Sequence, residues 1–181
     1  HCHVCTITYS ILFIRNLHSF FLQKERIFNS LFQSVTTRTA GFATIPQENM
    51  TNSSAFVSLL LMFIGGSPVG TAGGVKTVTI AVLVVSAACT LRNRRDVSLF
   101  DRTVPKYAVN KAVAVVCMSF AIVFASTVLL SAVTDAPAID IIYETVSATA
   151  TVGLTRNLTS SLDFWGKLII IATMYLGRVG P

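Results

Sequence analysis

The chain has 181 residues and a formal net charge of +6, with 52% hydrophobic residues, only 12% charged residues and a mean hydropathy of +0.67. Soluble domains carry roughly 25% charged residues, so this composition argues against an ordinary water-soluble globule and makes an integral membrane protein the leading class. The charges are also segregated: none lies between Glu48 and Lys76, between Lys76 and Arg92, or between Lys111 and Asp135, and each gap reads as a span or a buried segment.

The first segment, 1–23, says least. His1-Cys2-His3-Val4-Cys5 has the C-x-x-C spacing of a metal site, but no second pair follows at zinc-site spacing, so an accidental or truncated terminus is the better reading. The apolar run Ile7 to Ile14 reads as the end of a spanning helix whose beginning is absent. Neither a basic end nor a small-residue cleavage site marks a signal peptide. Cys89 and Cys117 stand alone in apolar segments and read as reduced, buried packing residues.

Residues 24–91 form the first organised unit. Ile27, Leu31, Phe32 and Val35 recur at helical spacing, which predicts an amphipathic helix over Lys24 to Thr37, too short to cross a bilayer. It runs into Thr39-Ala40-Gly41-Phe42. Inside a membrane, irregular backbone is tolerated only where protein shelters it or water reaches it, so a half-length helix ending in a glycine turn predicts a re-entrant pore helix. The C-terminal end of such a helix is the negative end of its dipole and favours a nearby cation. Arg38 is the discordant residue; its expected place is the outer rim, paired or snorkelling, because a guanidinium on the path would oppose cations.

A polar stretch, Gln47 to Ser54, follows, with N-x-S/T triplets at Asn49 and Asn52 and a third at Asn157. Ala55 to Ile64 is apolar and meets Gly65-Gly66-Ser67-Pro68-Val69-Gly70-Thr71-Ala72-Gly73-Gly74, after which Val75 to Leu91 is apolar again. Five glycines and a proline in ten residues cannot sustain a regular helix. A helix broken at membrane depth is predicted, with Gly65, Gly66, Gly70, Gly73 and Gly74 as a candidate gate. Gly70 to Thr77 approaches a phosphate-binding loop but has Val75 where G-x-x-x-x-G-K-[ST] requires Gly. No acidic residue between Glu48 and Asp96 is placed to hold Mg²⁺, so an enzyme is not expected.

The linker 92–111 carries Arg92, Arg94, Arg95, Arg102 and Lys106 against Asp96 and Asp101, and the positive-inside rule puts it in the cytoplasm. It is too short and too tightly boxed in by spans to be a nucleic-acid patch. The last unit, 112–181, opens with Ala112 to Thr134, which at about 1.5 Å per residue reaches roughly 34 Å and exceeds the hydrocarbon thickness of about 30 Å. Asp135-Ala136-Pro137 predicts a turn and Ile139 to Ala150 a second half-helix, leading into Thr151-Val152-Gly153-Leu154. Phe164 to Leu176 turns back, with Arg178 in its lower half, and the chain is expected to continue beyond both ends.

The two glycine turns are an internal repeat. Phe32-Gln33-Ser34-Val35-Thr36-Thr37 precedes the first and Tyr143-Glu144-Thr145-Val146-Ser147-Ala148 the second; the aromatics are 111 residues apart and the glycines 112, so the second copy carries one extra residue. A cation leaving water needs oxygen. Rings of backbone carbonyls supply it without a full charge, and close packing of such a backbone favours Gly at the turn. Thr39, Ala40, Gly41, Phe42, Thr151, Val152, Gly153 and Leu154 are therefore the candidate ion filter, with hydroxyls of Thr39 and Thr151 as further ligands. A lone T-x-G would read as a helix-ending turn; two with matched approaches favour the filter.

These stretches, with Gly65 to Thr77 and Tyr175-Leu176-Gly177-Arg178-Val179-Gly180-Pro181, resemble the membrane subunit of Trk/Ktr/HKT potassium transporters over about residues 24 to 181. The resemblance implies an all-α integral membrane fold of helix–pore-loop–helix repeats, of which this chain would hold the third and fourth. It implies that Gly41 and Gly153 are filter glycines, that Gly65 to Gly74 is an intramembrane gating loop, and that Arg178 faces that loop. It further implies K⁺, with Na⁺ as a second candidate, as the transported ion at the filter. It implies a plasma-membrane homodimer on a cytosolic nucleotide-binding regulatory subunit, with no cofactor in this chain and no nucleic acid. The first two repeats would come from missing sequence or a second chain. The competing reading is a membrane fragment or interaction subunit without a complete pore, because two loops cannot encircle an ion.

Overall fold

The structure, a computed structural model, describes residues 23–66, 73–92, 98–99 and 102–179. The expectations for segment 1–22 and for Gly70 fall outside the described residues. Among those described, the α-helices are α1 (Gln23–Thr36), α2 (Asn52–Phe63), α3 (Thr77–Leu91), α4 (Lys106–Val133), α5 (Ala138–Thr149), α6 (Leu158–Ser161) and α7 (Phe164–Val179). A two-residue antiparallel pair, β1 (Ser98–Leu99) with β2 (Arg102–Thr103), lies in the charged linker and leaves the architecture all-α.

The long span is longer than its apolar core. α4 has 28 residues and starts behind Pro105 at the N-cap, so its basic first turns, with Lys106 and Lys111, extend the apolar rod into the interfacial layer. Only 17% of its most apolar window is buried, which is the reverse of a soluble core helix. Met118, Phe120, Phe124 and Leu129 point away from the rest of the chain, whereas Ser119 and Ser126 point inward and return their hydroxyls to Val115 and Ile122 carbonyls. Apolar outside and small polar inside is the pattern of a helix dissolved in lipid. The same inversion operates in α1. Its polar Ser30, Gln33, Ser34 and Thr36 are buried, and the apolar stripe of Phe28, Leu31, Phe32 and Val35 is exposed. Cys117 is exposed and Cys89 half-buried, so neither is the buried packing residue the sequence suggests; both sit on spans whose outer faces are open.

α5 is the centre of the assembly. Pro137 supplies its N-cap and every residue from Tyr143 to Ala150 is buried, because α2, α4 and α7 all pack on it. Tyr143, Val146 and Ala150 meet Ala55, Leu59 and Met62 of α2 in one core cluster, and Ile141 and Ala148 meet Leu130 of α4 and Ile170 of α7 in another. The Thr127 and Thr145 hydroxyls, 2.9 Å apart, join α4 to α5.

The backbone of α7 packs tightly on α5 at Gly177, where an added methyl would overlap the Thr149 carbonyl oxygen. At Gly166 on the same helix, the nearest atom to such a methyl is a Leu162 side-chain carbon at 3.0 Å. Gly177→Ala is therefore expected to destabilise by about 1–3 kcal/mol through overpacking against a backbone that cannot rotate away. Gly166→Ala is expected to be near neutral, since the neighbouring leucine can move and alanine favours the helix. Thermal midpoints of the two variants in detergent check this; equal midpoints would contradict the packing.

Candidate functional site

The two helix ends that lead into the glycine turns are built alike. The Ala40 and Gly41 N–H groups both donate to the Thr36 carbonyl, at 3.2 and 3.3 Å, and the Val152 N–H donates to the Ser147 carbonyl at 3.0 Å. Each helix then passes through a left-handed Thr and a left-handed Gly: Thr39 (φ 67°) with Gly41 (φ 74°), and Thr151 (φ 53°) with Gly153 (φ 88°). A β-branched residue at positive φ is an outlier, with a cost of about 1–3 kcal/mol that surrounding structure must hold in place. Thr36 and Ser147 are 111 residues apart and the left-handed pairs are 112 apart, which locates the extra residue of the second copy in the last turn of its helix.

The two turns lie side by side. A methyl added at Gly41 would overlap the Val152 carbonyl oxygen, and one added at Gly153 would lie 4.0 Å from the Gly41 Cα. Through the second turn, burial alternates: Val152 and Leu154 are buried while Gly153 and Thr155 are exposed. Val152 and Leu154 belong to the cluster of Leu59 and Met62 of α2. The first turn is less enclosed: Thr36 Oγ1 donates to the Phe42 carbonyl at 2.6 Å, but the Phe42 side chain is 71% exposed. All eight sequence-derived turn residues are thus brought to one place, with Phe42 and Leu154 in unlike surroundings.

The glycine segment leaves and re-enters the helix path through a closed neck. The Gly65 N–H donates to the Val75 carbonyl at 2.8 Å, the Val75 N–H to Phe63 at 3.3 Å, and the Thr77 N–H to Gly66 at 3.4 Å. The neck abuts the second turn, since a methyl at Gly73 would overlap Thr151 Oγ1 and one at Gly74 would come within 3.3 Å of the Ala150 Cβ. Thr149, Ala150 and Thr151 therefore touch, in sequence, Gly177, Gly74 and Gly73. Arg178 directly follows Gly177 in the last turn of α7 and is exposed.

Four groups that sequence reasoning did not single out complete the surroundings. Gln47, after the first turn, bonds Gln33 of α1 and Tyr143 of α5. Glu144, the repeat counterpart of Gln33, is 4% exposed and accepts from the Thr155 hydroxyl at 2.6 Å, the Thr159 N–H at 2.9 Å and the Thr159 hydroxyl. Arg156 pairs with Asp140 at 2.6 Å. Gly177 is the close contact of α7. The one signal in the sequence was positional: Gln33 and Glu144 occupy the same place in both copies, a polar residue following an aromatic on an otherwise apolar approach. Arg38 is half-buried, and its Nε is enclosed without a hydrogen-bond partner among the described residues. Among the described residues no three His, Cys, Asp or Glu side chains gather as a metal site.

A family model described as TrkH, cation transport protein, matches residues 5–181. The chain is similar to the Ktr system potassium uptake protein B of Bacillus subtilis (strain 168), with 40% identity over 157 residues that cover 87% of this chain and 35% of the relative. It is also similar to the potassium/sodium uptake protein NtpJ of Enterococcus hirae, with 36% identity covering 86% of this chain and 36% of that protein. Its fold matches the crystal structure of the potassium transporter TrkH from Vibrio parahaemolyticus with a TM-score of 0.79, over 97% of this chain and 40% of that one at 18% identity. The chain thus spans about a third of the length of the curated relatives it matches.

The contact between the neck and the second turn generates a coupled prediction. Gly73→Ala is expected to destabilise, and Thr151→Ala in the same chain to recover part of the loss, because it removes the atoms the new methyl meets. Coupling of about 0.5–3 kcal/mol is expected for residues in contact. Thermal midpoints of both single variants and the double variant measure it; strictly additive effects would show that neck and turn do not touch.

Proposed function

This chain belongs to the TrkH family of cation transport proteins, and from that premise we propose that it supplies two neighbouring pore repeats of a K⁺ uptake path across the plasma membrane. The observation that carries the reading is the pair of left-handed Thr-x-Gly turns, set side by side at the C-terminal ends of two half-length helices. Three properties support a cation path there. The turns expose backbone carbonyls without formal charge, so an ion can be dehydrated and still released. The C-terminal ends of α1 and α5 place the negative ends of two helix dipoles beside them. Thr39 and Thr151 add hydroxyls. Two repeats enclose half an ion, so further repeats, from more of the same protein or a second chain, complete the ring.

K⁺ is the proposed cargo, and Na⁺ the second candidate, in line with the name of the Enterococcus relative. The segment Gly65 to Gly74 is the proposed gate, below the filter turns, with Arg178 beside it. A guanidinium at membrane depth costs about 2.5–3.5 kcal/mol on insertion scales, so it is expected to hold loop carbonyls, and its charge adds to the barrier against cations. The basic linker 92–111 faces the cytoplasm in this reading. A homodimer and a cytosolic nucleotide-binding regulatory subunit are the proposed partners, and the neck gives the latter a segment to move.

The test is uptake by K⁺-uptake-deficient cells that express the full-length product of the gene encoding this chain. K⁺-dependent growth and saturable uptake support the proposal; membrane-inserted protein without uptake would leave the non-transporting reading in its place. Within a transporting protein, Gly41→Ala is expected to abolish most uptake, since its methyl meets the Val152 carbonyl at a positive φ. Gly153→Ala carries the same positive-φ strain but its methyl comes no closer than 4.0 Å to the Gly41 Cα, so it is expected to lose less and mainly to lower the preference for K⁺ over Na⁺. Equal losses would contradict the geometry. Replacing Arg178 with Ala, or deleting 67–72, is expected to raise K⁺ flux at equal membrane abundance and weaken its dependence on the regulatory subunit. Unchanged flux in both would reduce the glycine segment to a connector.

A further inference from the structure

Alongside the two turns, a set of buried neutral side chains ties one repeat to the other. Gln33 on α1 and Tyr143 on α5 are fully buried, and Gln47, in the 3-10 turn Gln47–Asn49 that follows the first glycine turn, is 3% exposed. Gln33 Nε2 donates to Gln47 Oε1 at 2.7 Å, and Gln47 Nε2 donates to Gln33 Oε1 at 3.3 Å and to the Ile45 carbonyl at 2.9 Å. Tyr143 Oη donates to the same Gln47 Oε1 at 3.2 Å. The Gln47 amide is thereby at capacity, with two donations and two acceptances. A second strap runs beside it: Arg156 Nε donates to Asp140 Oδ1, its Nη2 reaches the Glu48 carbonyl at 3.5 Å, and its guanidinium lies 6.0 Å over the Tyr143 ring.

The connections fall at the places that govern the turns. Gln33 carries the carbonyl that receives the N–H of Thr37, two residues before the left-handed Thr39. Gln47 holds the chain as it leaves that turn. Tyr143 lies one helical turn before Ser147, whose carbonyl receives the Val152 N–H. A fully satisfied polar network in a low-dielectric interior is rigid, and a partly satisfied one is not. Because Gln33, Gln47 and Tyr143 carry no formal charge, breaking their bonds changes the spacing of the turns with little change in the potential an ion feels.

We propose that Gln33, Gln47 and Tyr143 are positioning residues that set the distance between the two glycine turns, and thereby determine discrimination between K⁺ and Na⁺. The proposal rests on reading those turns as an ion filter. On the cavity-size account of carbonyl filters, a cage free to contract accepts the smaller ion and a cage held apart favours the larger one.

The test compares wild type, Tyr143→Phe, the double variant Gln33→Met with Gln47→Met, and Thr127→Val, each in the full-length gene product in K⁺-uptake-deficient cells. Tyr143→Phe removes one hydroxyl and keeps the ring. The double variant replaces both partners of the amide pair by side chains of similar shape but also takes the Gln47 partner from the Tyr143 hydroxyl and the Ile45 carbonyl, so its midpoint is expected to fall further than that of Tyr143→Phe, and Tyr143→Phe is the milder arm of the test. Thr127→Val breaks the α4–α5 hydroxyl contact, within one repeat, and serves as a purely structural comparison. The readouts are KM for K⁺, inhibition by Na⁺, maximal rate and thermal midpoint. The expected result is a fall in K⁺-over-Na⁺ preference of about two- to ten-fold in the first two variants, the equilibrium equivalent of one buried hydrogen bond. Thr127→Val is expected to lower the midpoint and leave the preference as in wild type. If wild type discriminates and both network variants keep its preference, with only rate or midpoint reduced, the positioning role is overturned. If wild type shows no cation uptake, the filter reading itself fails and takes this inference with it.

Discussion

Two helices that stop partway through an apolar layer create the constraint on which the rest of this structure depends. The last carbonyls of an α-helix have no partner within it, and lipid offers none. At α1 and α5 the chain meets this need by folding back on its own helix end: the Gly41 and Val152 N–H groups return to Thr36 and Ser147. That return requires left-handed backbone, and the positions that take it include two threonines as well as two glycines. The strain is held by what surrounds it. Val152 and Leu154 are inserted into a core with α2, and Glu144 receives the chain again at Thr155 and Thr159.

Crowding at the end of α5 follows from the same constraint. Thr149, Ala150 and Thr151 are each approached by a glycine from another segment, Gly177, Gly74 and Gly73. A side chain at any of the three would separate the turn from the broken helix or from α7. Gly177 meets the Thr149 carbonyl, which has no rotamer to change, whereas Gly73 and Gly74 meet the Thr151 side chain and the Ala150 Cβ, so the broken helix and α7 touch the second turn through different kinds of contact.

The two repeats share a plan and differ in enclosure. α5 is packed on three sides by helices of this chain, whereas α1 buries a polar face and leaves its apolar stripe open. Phe42 is exposed where its counterpart Leu154 is buried. The polar side of α1 is buried, and its Gln33 bonds Gln47, which in turn accepts from the Tyr143 hydroxyl of the other repeat. Two amides and a phenol make the buried centre of this junction without formal charge, which avoids a desolvation cost there, and the Arg156–Asp140 ion pair lies beside it.

Composition and pattern determined the environment, the order of elements and the place of both turns, because these depend on local rules. Uncharged runs of spanning length, prolines at helix starts and glycine clusters act through backbone conformation and hydration wherever they occur. The repeat was legible for the same reason, down to the one extra residue. Partnerships between distant residues were not. Gln47 lay in a polar stretch with nothing to distinguish it from its neighbours, and its importance arises from bonds to residues 14 and 96 positions away. Gly177 read as one residue of a terminal motif, and only the approach of α7 to the Thr149 carbonyl gave it a packing role. Which face of α1 turns inward also escaped the periodicity, since a stripe of Phe28, Leu31, Phe32 and Val35 has the same spacing whether it seeks a core or lipid. Side-chain pattern determines which faces differ; only the packed arrangement of the other helices decides which of them is inside.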